Sequence, residues 1–241
     1  MAAWSRMALE IRQPRVRQAA LLPEPVPGWM VAVEGPIGVG KTTLARRLAA
    51  QLGAELLLEV VEENPFLSSF YQDIRGLAFH TQLFFLLSRH HQLRAVAPRV
   101  AAGGGVVADY FFAKDRLFAS LTLDDAELTL YDAVYSLVTA HLPPPTVVIH
   151  LRASLETLWS RIGARGRPFE RGLTVAYLTR RASGYGDLFA SYEDAPVITV
   201  DTDRLDLQHD AGVEAIVQAV AAARRGETVA TPASNTRGPA L

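Results

Sequence analysis

The stretch Met30-Val31-Ala32-Val33-Glu34-Gly35-Pro36-Ile37-Gly38-Val39-Gly40-Lys41-Thr42-Thr43-Leu44 decides the fold. Its first five residues are a near-continuous apolar run, as in a strand buried on both faces, and a helical pattern opens at Lys41. Between them, Gly35 to Thr42 fits G-x-x-x-x-G-K-[ST]. The glycines of that motif let successive backbone N–H groups turn inward around a phosphate, and the helix N-terminus adds its dipole. Lys41 is placed to meet the β and γ oxygens of a nucleoside triphosphate, and the Thr42 hydroxyl to ligate Mg²⁺. Gly35, Pro36, Ile37, Gly38, Val39, Gly40, Lys41, Thr42 and Thr43 are the expected triphosphate loop.

Outward from this loop, four more apolar runs read as strands: Glu55 to Val60, Gly105 to Asp109, Thr146 to Leu151 and Val197 to Val200. Segments of helical length and period separate them: Lys41 to Leu52, Gly76 to Val96, Asp124 to His141, Ser154 to Ala164, Thr174 to Phe189 and Gly212 to Ala223. This alternation predicts a doubly wound α/β domain, a parallel five-stranded sheet with helices on both faces. Residues 1–28, Arg-rich and closing on Pro23, Pro25, Pro27 and Gly28, read as an irregular, disordered extension; 225–241 read as a polar, disordered tail. One domain is expected over 29–224.

A chain of 241 residues, 49% hydrophobic and 20% charged, is long enough for one well-buried core. No apolar run approaches the roughly 18 residues that cross a bilayer, so no membrane partner is expected. A net charge of −1 argues against coating nucleic acid. With no cysteine, thiolate metal sites and thiol nucleophiles are excluded, and a reducing cytoplasm suffices. Of 24 basic residues only Lys41 and Lys114 are lysine, so lysine at position 41 marks a place where a compact ammonium is needed. The six histidines show no spacing that assembles a metal site.

A phosphate loop serves GTPases, motors, transporters and kinases alike. No Asn-Lys-x-Asp for guanine and no Ser-Gly-Gly transporter signature is present, which leaves mostly phosphoryl transfer to a small molecule. Glu59 stands at the end of the second strand, Tyr71 lies twelve residues on, and Gln82 eleven beyond that within His80-Thr81-Gln82-Leu83-Phe84-Phe85. Farther along come Val106-Val107-Ala108-Asp109 and the arginine-rich Arg161-Ile162-Gly163-Ala164-Arg165-Gly166-Arg167-Pro168-Phe169-Glu170. On these residues the chain resembles the deoxynucleoside kinase family, within it the bacterial deoxyguanosine and deoxyadenosine kinase branch, over about Met30 to Ile216.

The resemblance implies a P-loop kinase fold with an Arg-rich lid. It implies ATP as phosphoryl donor, Mg²⁺ as cofactor, a purine deoxyribonucleoside as acceptor at its 5′-hydroxyl in nucleotide salvage, and a homodimer. Glu59 then lies near the 5′-hydroxyl, as the base and, with Thr42, on the metal. Tyr71 and Glu170 hold the sugar 3′-hydroxyl, Gln82 reads the base edge, and Arg161, Arg165 and Arg167 close over ATP. Asp109 faces the phosphates, as an alternative base or holding the metal's water shell. Where relatives continue from this acid with Arg-Ser, the chain reads Tyr110-Phe111, so a phosphate-side arginine is missing or supplied from elsewhere. Across a one-residue gap, Asp115 falls on an acid that faces the base, with a helix N-terminal charge as its other reading, and Phe118 on the ring beneath it. Asp201 to Asp206 falls where relatives contact adenine. Two alternatives stay open: a nucleoside monophosphate kinase such as thymidylate kinase, which needs an extra arginine with Arg75 and Arg89 as candidates, and a nucleotide-binding regulator without transfer activity.

Overall fold

A computed structural model describes residues 9–13, 28–140 and 142–227. His141, most of the N-terminal extension and residues 228–241 of the tail lie outside the described residues.

Strand β2 (Trp29–Glu34) sits in the middle of the sheet and is buried almost throughout, which is why it reads as an unbroken apolar run. Because side chains alternate across a strand, Val31 and Val33 face one layer of helices and Met30 and Ala32 the other. The first layer holds α1 (Lys41–Leu52), α6 (Leu155–Arg165) and α8 (Asp210–Arg224). The second holds α3 (Ile74–Ala101), α4 (Lys114–Thr122) and α7 (Val175–Ser191). The helix α5 (Asp125–Thr139) packs outside α3 and α4, started by a capping box between Asp124 and Glu127.

The remaining strands are β1 (Leu9–Arg12), β3 (Glu55–Leu57), β4 (Gly105–Ala108), β5 (Val147–Arg152) and β6 (Val197–Asp201), in the order β1-β6-β5-β2-β4-β3. All neighbours are parallel except β1 with β6, where Leu9 pairs with Val200 and Arg12 with Val197. The sheet therefore has six strands, one more than expected, and the extra one comes from the segment read as an irregular extension. Arg12 holds it in place: its guanidinium donates to the carbonyls of Ala190 (2.8 Å), Tyr192 (2.9 Å) and Phe189 at the end of α7. Four residues are too short a run to show a period among arginines.

From β2 the chain winds through α1 to β3 and β4 on one side, then crosses to β5 and β6 on the other. The carboxyl ends of β2 and β4 flank this change of direction, where open α/β sheets bind ligands. Two further departures bear on the site. β3 stops at Leu57, so Glu59 sits in the loop beyond it, and α4 covers a stretch that showed no helical period of its own.

Candidate active site

Gly35 leaves β2 at φ 152°, and a Cβ there would stand 2.3 Å from the Leu151 carbonyl; Gly40 caps α1 at φ 105°. Only glycine meets both demands without strain. The loop so formed curls around the Lys41 ammonium, which donates to the carbonyls of Gly35 (2.8 Å) and Pro36 (3.3 Å). One cavity of about 760 Å³ runs from Ile37 to Thr43 of this loop to Tyr71, Gln82 and Phe118.

Beneath the loop lies a carboxylate that the sequence reading passed over as a strand end. Glu34 is fully buried and accepts from the amides of Gly35 (2.8 Å) and Phe111 (2.9 Å) and from the Tyr185 hydroxyl (2.8 Å). Both lysines of the chain converge on it, Lys114 at 3.1 Å and Lys41 at 4.0 Å. Burial opposes its charge, but the two ammonium groups outweigh that and hold its carboxyl below the ordinary range. Glu34 thereby ties the phosphate loop to the turn after β4 and to α7.

Of the two carboxylates Asp109 and Glu59, it is Asp109 that meets Thr42. The Thr42 hydroxyl donates to Asp109 Oδ2 at 2.8 Å, and the Glu59 amide donates to Oδ1 at 2.5 Å. Glu59 was expected on the metal with Thr42; its side chain is instead held by Arg89 and by Lys114 at 3.0 Å. Burial works against ionisation of Glu59, yet Arg89 and Lys114 keep its carboxyl far below the ordinary range, whereas burial raises that of Asp109 despite its two donors. A hydroxyl and a carboxylate oxygen meeting beside a phosphate loop are the hard donors that Mg²⁺ takes together with phosphate and water. Among the described residues no group of three His, Cys, Asp or Glu is placed to hold a metal ion.

Gln82 and Arg89, seven residues apart on α3, share one helix face and both line the cleft. Gln82 donates to the Thr122 hydroxyl at 3.3 Å. Arg89 also binds Asp115, so Asp115 is buried behind it and does not line the cleft; Asp115 Oδ2 accepts no hydrogen bond from the described residues. The expectation that Asp115 touches the base is not met in this arrangement. Phe118 does line the cleft, but the Arg181 guanidinium covers its ring. Tyr71 lies against Phe70 and Tyr177, its hydroxyl held protonated by burial.

The three lid arginines have separate fates. Arg161 donates to Thr202 Oγ1 (3.0 Å), the Thr202 carbonyl (3.1 Å) and the Val39 carbonyl (3.3 Å), which anchors α6 to the loop. Arg165 is paired with Glu170, and Arg167 stands over the Phe169 ring and faces the cleft. From the run expected near adenine, only Asp206 reaches the cleft wall, followed by Leu207 and Gln208. Sequence reasoning missed Lys114, which bridges Glu34 and Glu59; as one of only two lysines among 24 basic residues it carried the same signal as Lys41.

A phosphate loop, an adjoining Thr42–Asp109 pair and an arginine-bearing lid over one cleft define a P-loop kinase. The deoxynucleoside kinase family pattern matches residues 31–223, and the chain belongs to that family. It is 40% identical over 181 residues to the deoxyguanosine kinase of Bacillus subtilis (strain 168), covering 73% of this chain and 87% of that one. It is 31% identical over 201 residues to the deoxyadenosine/deoxycytidine kinase of the same organism, covering 80% and 91%. The structure of deoxyadenosine kinase from M. mycoides with bound dCTP superposes with a TM-score of 0.69 at 28% identity, covering 80% of this chain and 99% of that one. The chain is thus a kinase that phosphorylates nucleosides. No helix among the described residues is long and apolar enough to cross a membrane.

Proposed function

We propose that the enzyme moves the γ-phosphoryl group of ATP to the 5′-hydroxyl of a purine deoxyribonucleoside, in nucleotide salvage. The observation that carries this reading is the single cleft with two chemically different ends. One end is backbone amides and Lys41; the other brings Gln82, Tyr71 and Phe118 together, with Arg89 and Arg181 beside them, a polar and aromatic set suited to a base and a sugar. Thr42 and Asp109 would hold Mg²⁺, which when bound neutralises charge on the β and γ phosphates.

Asp109 is occupied by Thr42 and the Glu59 amide, which leaves Glu59 as the carboxylate to take the 5′-hydroxyl proton. Its low proton affinity is no obstacle: in a loose phosphoryl-transfer transition state the proton leaves late, and an always-ionised, well-placed acceptor serves. Tyr71 and Glu170 bind the 3′-hydroxyl, Gln82 the base edge, and Arg165 and Arg167 meet the transferring charge once the lid closes. The similarity to a deoxyguanosine kinase supports a purine acceptor.

The monophosphate alternative asked for an arginine free to hold a second phosphate. Arg89 is committed to Glu59 and Asp115, and Arg75 is exposed outside the cleft. A homodimer belongs to the same proposal, with Leu87 of α3 and Leu130 and Leu137 of α5 exposed at 46%, 56% and 79% on two packed helices. We place the enzyme in the cytoplasm and its catalytic domain at 29–224. Labelled ATP offered with a panel of deoxyribonucleosides and their monophosphates tests the reading: label on the nucleosides supports it, and label on the monophosphates alone overturns it.

A further inference from the structure

Arg181, on α7, lines the cleft and lies nearer to an aromatic ring than Arg89 or Arg167 does. Its guanidinium carbon lies 3.3 Å from the Phe118 ring centre, so close that the attached nitrogens clear the ring only when the two planes are nearly parallel. Nη1 donates to the Tyr177 hydroxyl at 2.9 Å, one helical turn back. Among the described residues no carboxylate stands within ion-pair distance of Arg181, nor of Arg161 or Arg167, whereas Arg89 has two such partners and Arg165 one. Thr122 accepts from Gln82 and donates to the Phe118 carbonyl, so Phe118 and the guanidinium on it stand at the Gln82 end of the cleft. A second cavity of about 60 Å³ shares Phe118, Tyr177 and Arg181 with the main one and gives the side chain room to adjust.

We propose that Arg181 reads the nucleobase, donating to the O6 and N7 acceptors of a 6-oxopurine and so favouring deoxyguanosine over deoxyadenosine. This rests on the nucleoside kinase reading above. A guanidinium has five donors and no acceptor; one donor is spent on Tyr177, and among the described residues no other side-chain hydrogen bond engages this guanidinium, which lines the cleft. The matching edge of guanine offers two acceptors side by side, while adenine puts an amino donor where O6 would be. Gln82 carries donors and an acceptor and suits either purine, so the choice falls to the residue that only donates. Lying flat on Phe118, the guanidinium aims its N–H fork along the ring plane. The base therefore meets Arg181 edge-on, in place of the expected stack on Phe118. A desolvated cation without a counter-charge is costly to hold, and acceptors on the ligand recover part of that cost.

The test measures kcat/KM for deoxyguanosine, deoxyinosine, deoxyadenosine and 7-deaza-deoxyguanosine with the wild type, Arg181→Met and Arg181→Lys. The wild type is expected to favour both 6-oxopurines over deoxyadenosine and to lose about tenfold on the 7-deaza substrate, which lacks one of the two acceptors. Arg181→Met should lose about 10–100-fold on deoxyguanosine, no more than about threefold on deoxyadenosine, and become indifferent to the 7-deaza change, with ATP KM unmoved. Arg181→Lys should recover part of the preference. A wild type that handles deoxyguanosine and its 7-deaza analogue equally, a comparison needing no variant, would overturn the proposal, as would an unchanged deoxyguanosine to deoxyadenosine ratio in Arg181→Met. Transfer to no deoxyribonucleoside by the wild type would overturn the parent reading as well.

Discussion

The Lys114 ammonium lies 3.0 Å from Glu59 Oε1, so the carboxylate beside the acceptor cavity is held by a residue fifty-five positions away that follows no phosphate-binding motif. Lys114 is itself almost wholly buried, and its other contact, Glu34 at 3.1 Å, is the anchor of the phosphate loop. One ammonium thus sets the positions of both ends of the reaction.

Lys114→Met is therefore expected to lower kcat by about 10²-fold, the scale of losing one preorganised charge. It should also move the acid limb of the pH–rate profile upward. Arg89 and Lys114 hold the Glu59 carboxyl low, and without Lys114 it takes up a proton at a higher pH and ceases to act as a base. A kcat loss with an unmoved acid limb would show that Lys114 does not act through Glu59.

Stability should carry the same signature. The Glu34 and Glu59 carboxyls are held below their ordinary value of 4.5, so the stability they contribute is fully present above about pH 4.5 and is lost as the pH falls from there through the folded values. Asp109, raised by burial, works in the opposite sense and offsets part of the loss. Glu34→Gln, which removes the buried carboxylate shared by Lys114 and Lys41 and leaves Lys114 only Glu59, should cost about 3 kcal/mol at pH 7 and flatten the acid side of the profile. Urea denaturation from pH 7 to pH 3 reads both; an equally steep acid side in the variant would exonerate Glu34.

Deleting residues 1–13 should lower stability by about 1–3 kcal/mol. The deletion removes a four-residue strand and the Arg12 fork on the carbonyls after Leu188, and it leaves β6 as an open edge. Transfer rates at 25 °C should change little, because β1 lies at the sheet edge remote from the phosphate loop. An unchanged denaturation midpoint would show that β1 contributes nothing to the stability of the sheet.

What was legible in the sequence follows from how local the physical signals are. The buried parallel strands, Gly35 to Thr43 and the helix at Lys41 each announce themselves within a dozen residues, and the structure reproduces α1 at Lys41–Leu52. Glu34 and Lys114 do not, because their meaning is a meeting of three elements that no spacing encodes. Arg89 was visible only as a candidate phosphate ligand, since its two carboxylate partners lie thirty and twenty-six residues away. Arg181 sat in an ordinary helical pattern, and only the packing of α7 on α4 brings it over Phe118.

Lys41→Ala should abolish transfer, by at least about 10²-fold, while leaving the denaturation curve nearly unchanged. The ammonium touches two loop carbonyls and stands 4.0 Å from Glu34, which keeps its closer Lys114 contact. Near wild-type turnover would remove the phosphate loop from the reaction.

Tyr71 and Glu170 should act as one unit on the sugar 3′-hydroxyl. Glu170 is 7% exposed and held in place by Arg165, so a hydroxyl that reaches it meets a positioned carboxylate, the acceptor of the stronger kind of hydrogen bond. Tyr71 is wedged by Phe70 and Tyr177, and a Cβ on Gly172 would stand 2.7 Å from its own, so the chain that carries Glu170 is packed directly on the tyrosine. Burial keeps the phenol protonated, so it brings a donor to the same hydroxyl. Two groups that close a shared network couple, and Tyr71→Phe with Glu170→Gln should cost less than the two single losses added together, by about 0.5–3 kcal/mol in kcat/KM. A 2′,3′-dideoxy substrate has no 3′-hydroxyl, so the enzyme should be nearly indifferent to both changes when tested on it. Additive losses, with full sensitivity kept on the dideoxy substrate, would place the pair outside the sugar site and leave Glu170 only its role as the Arg165 counter-charge.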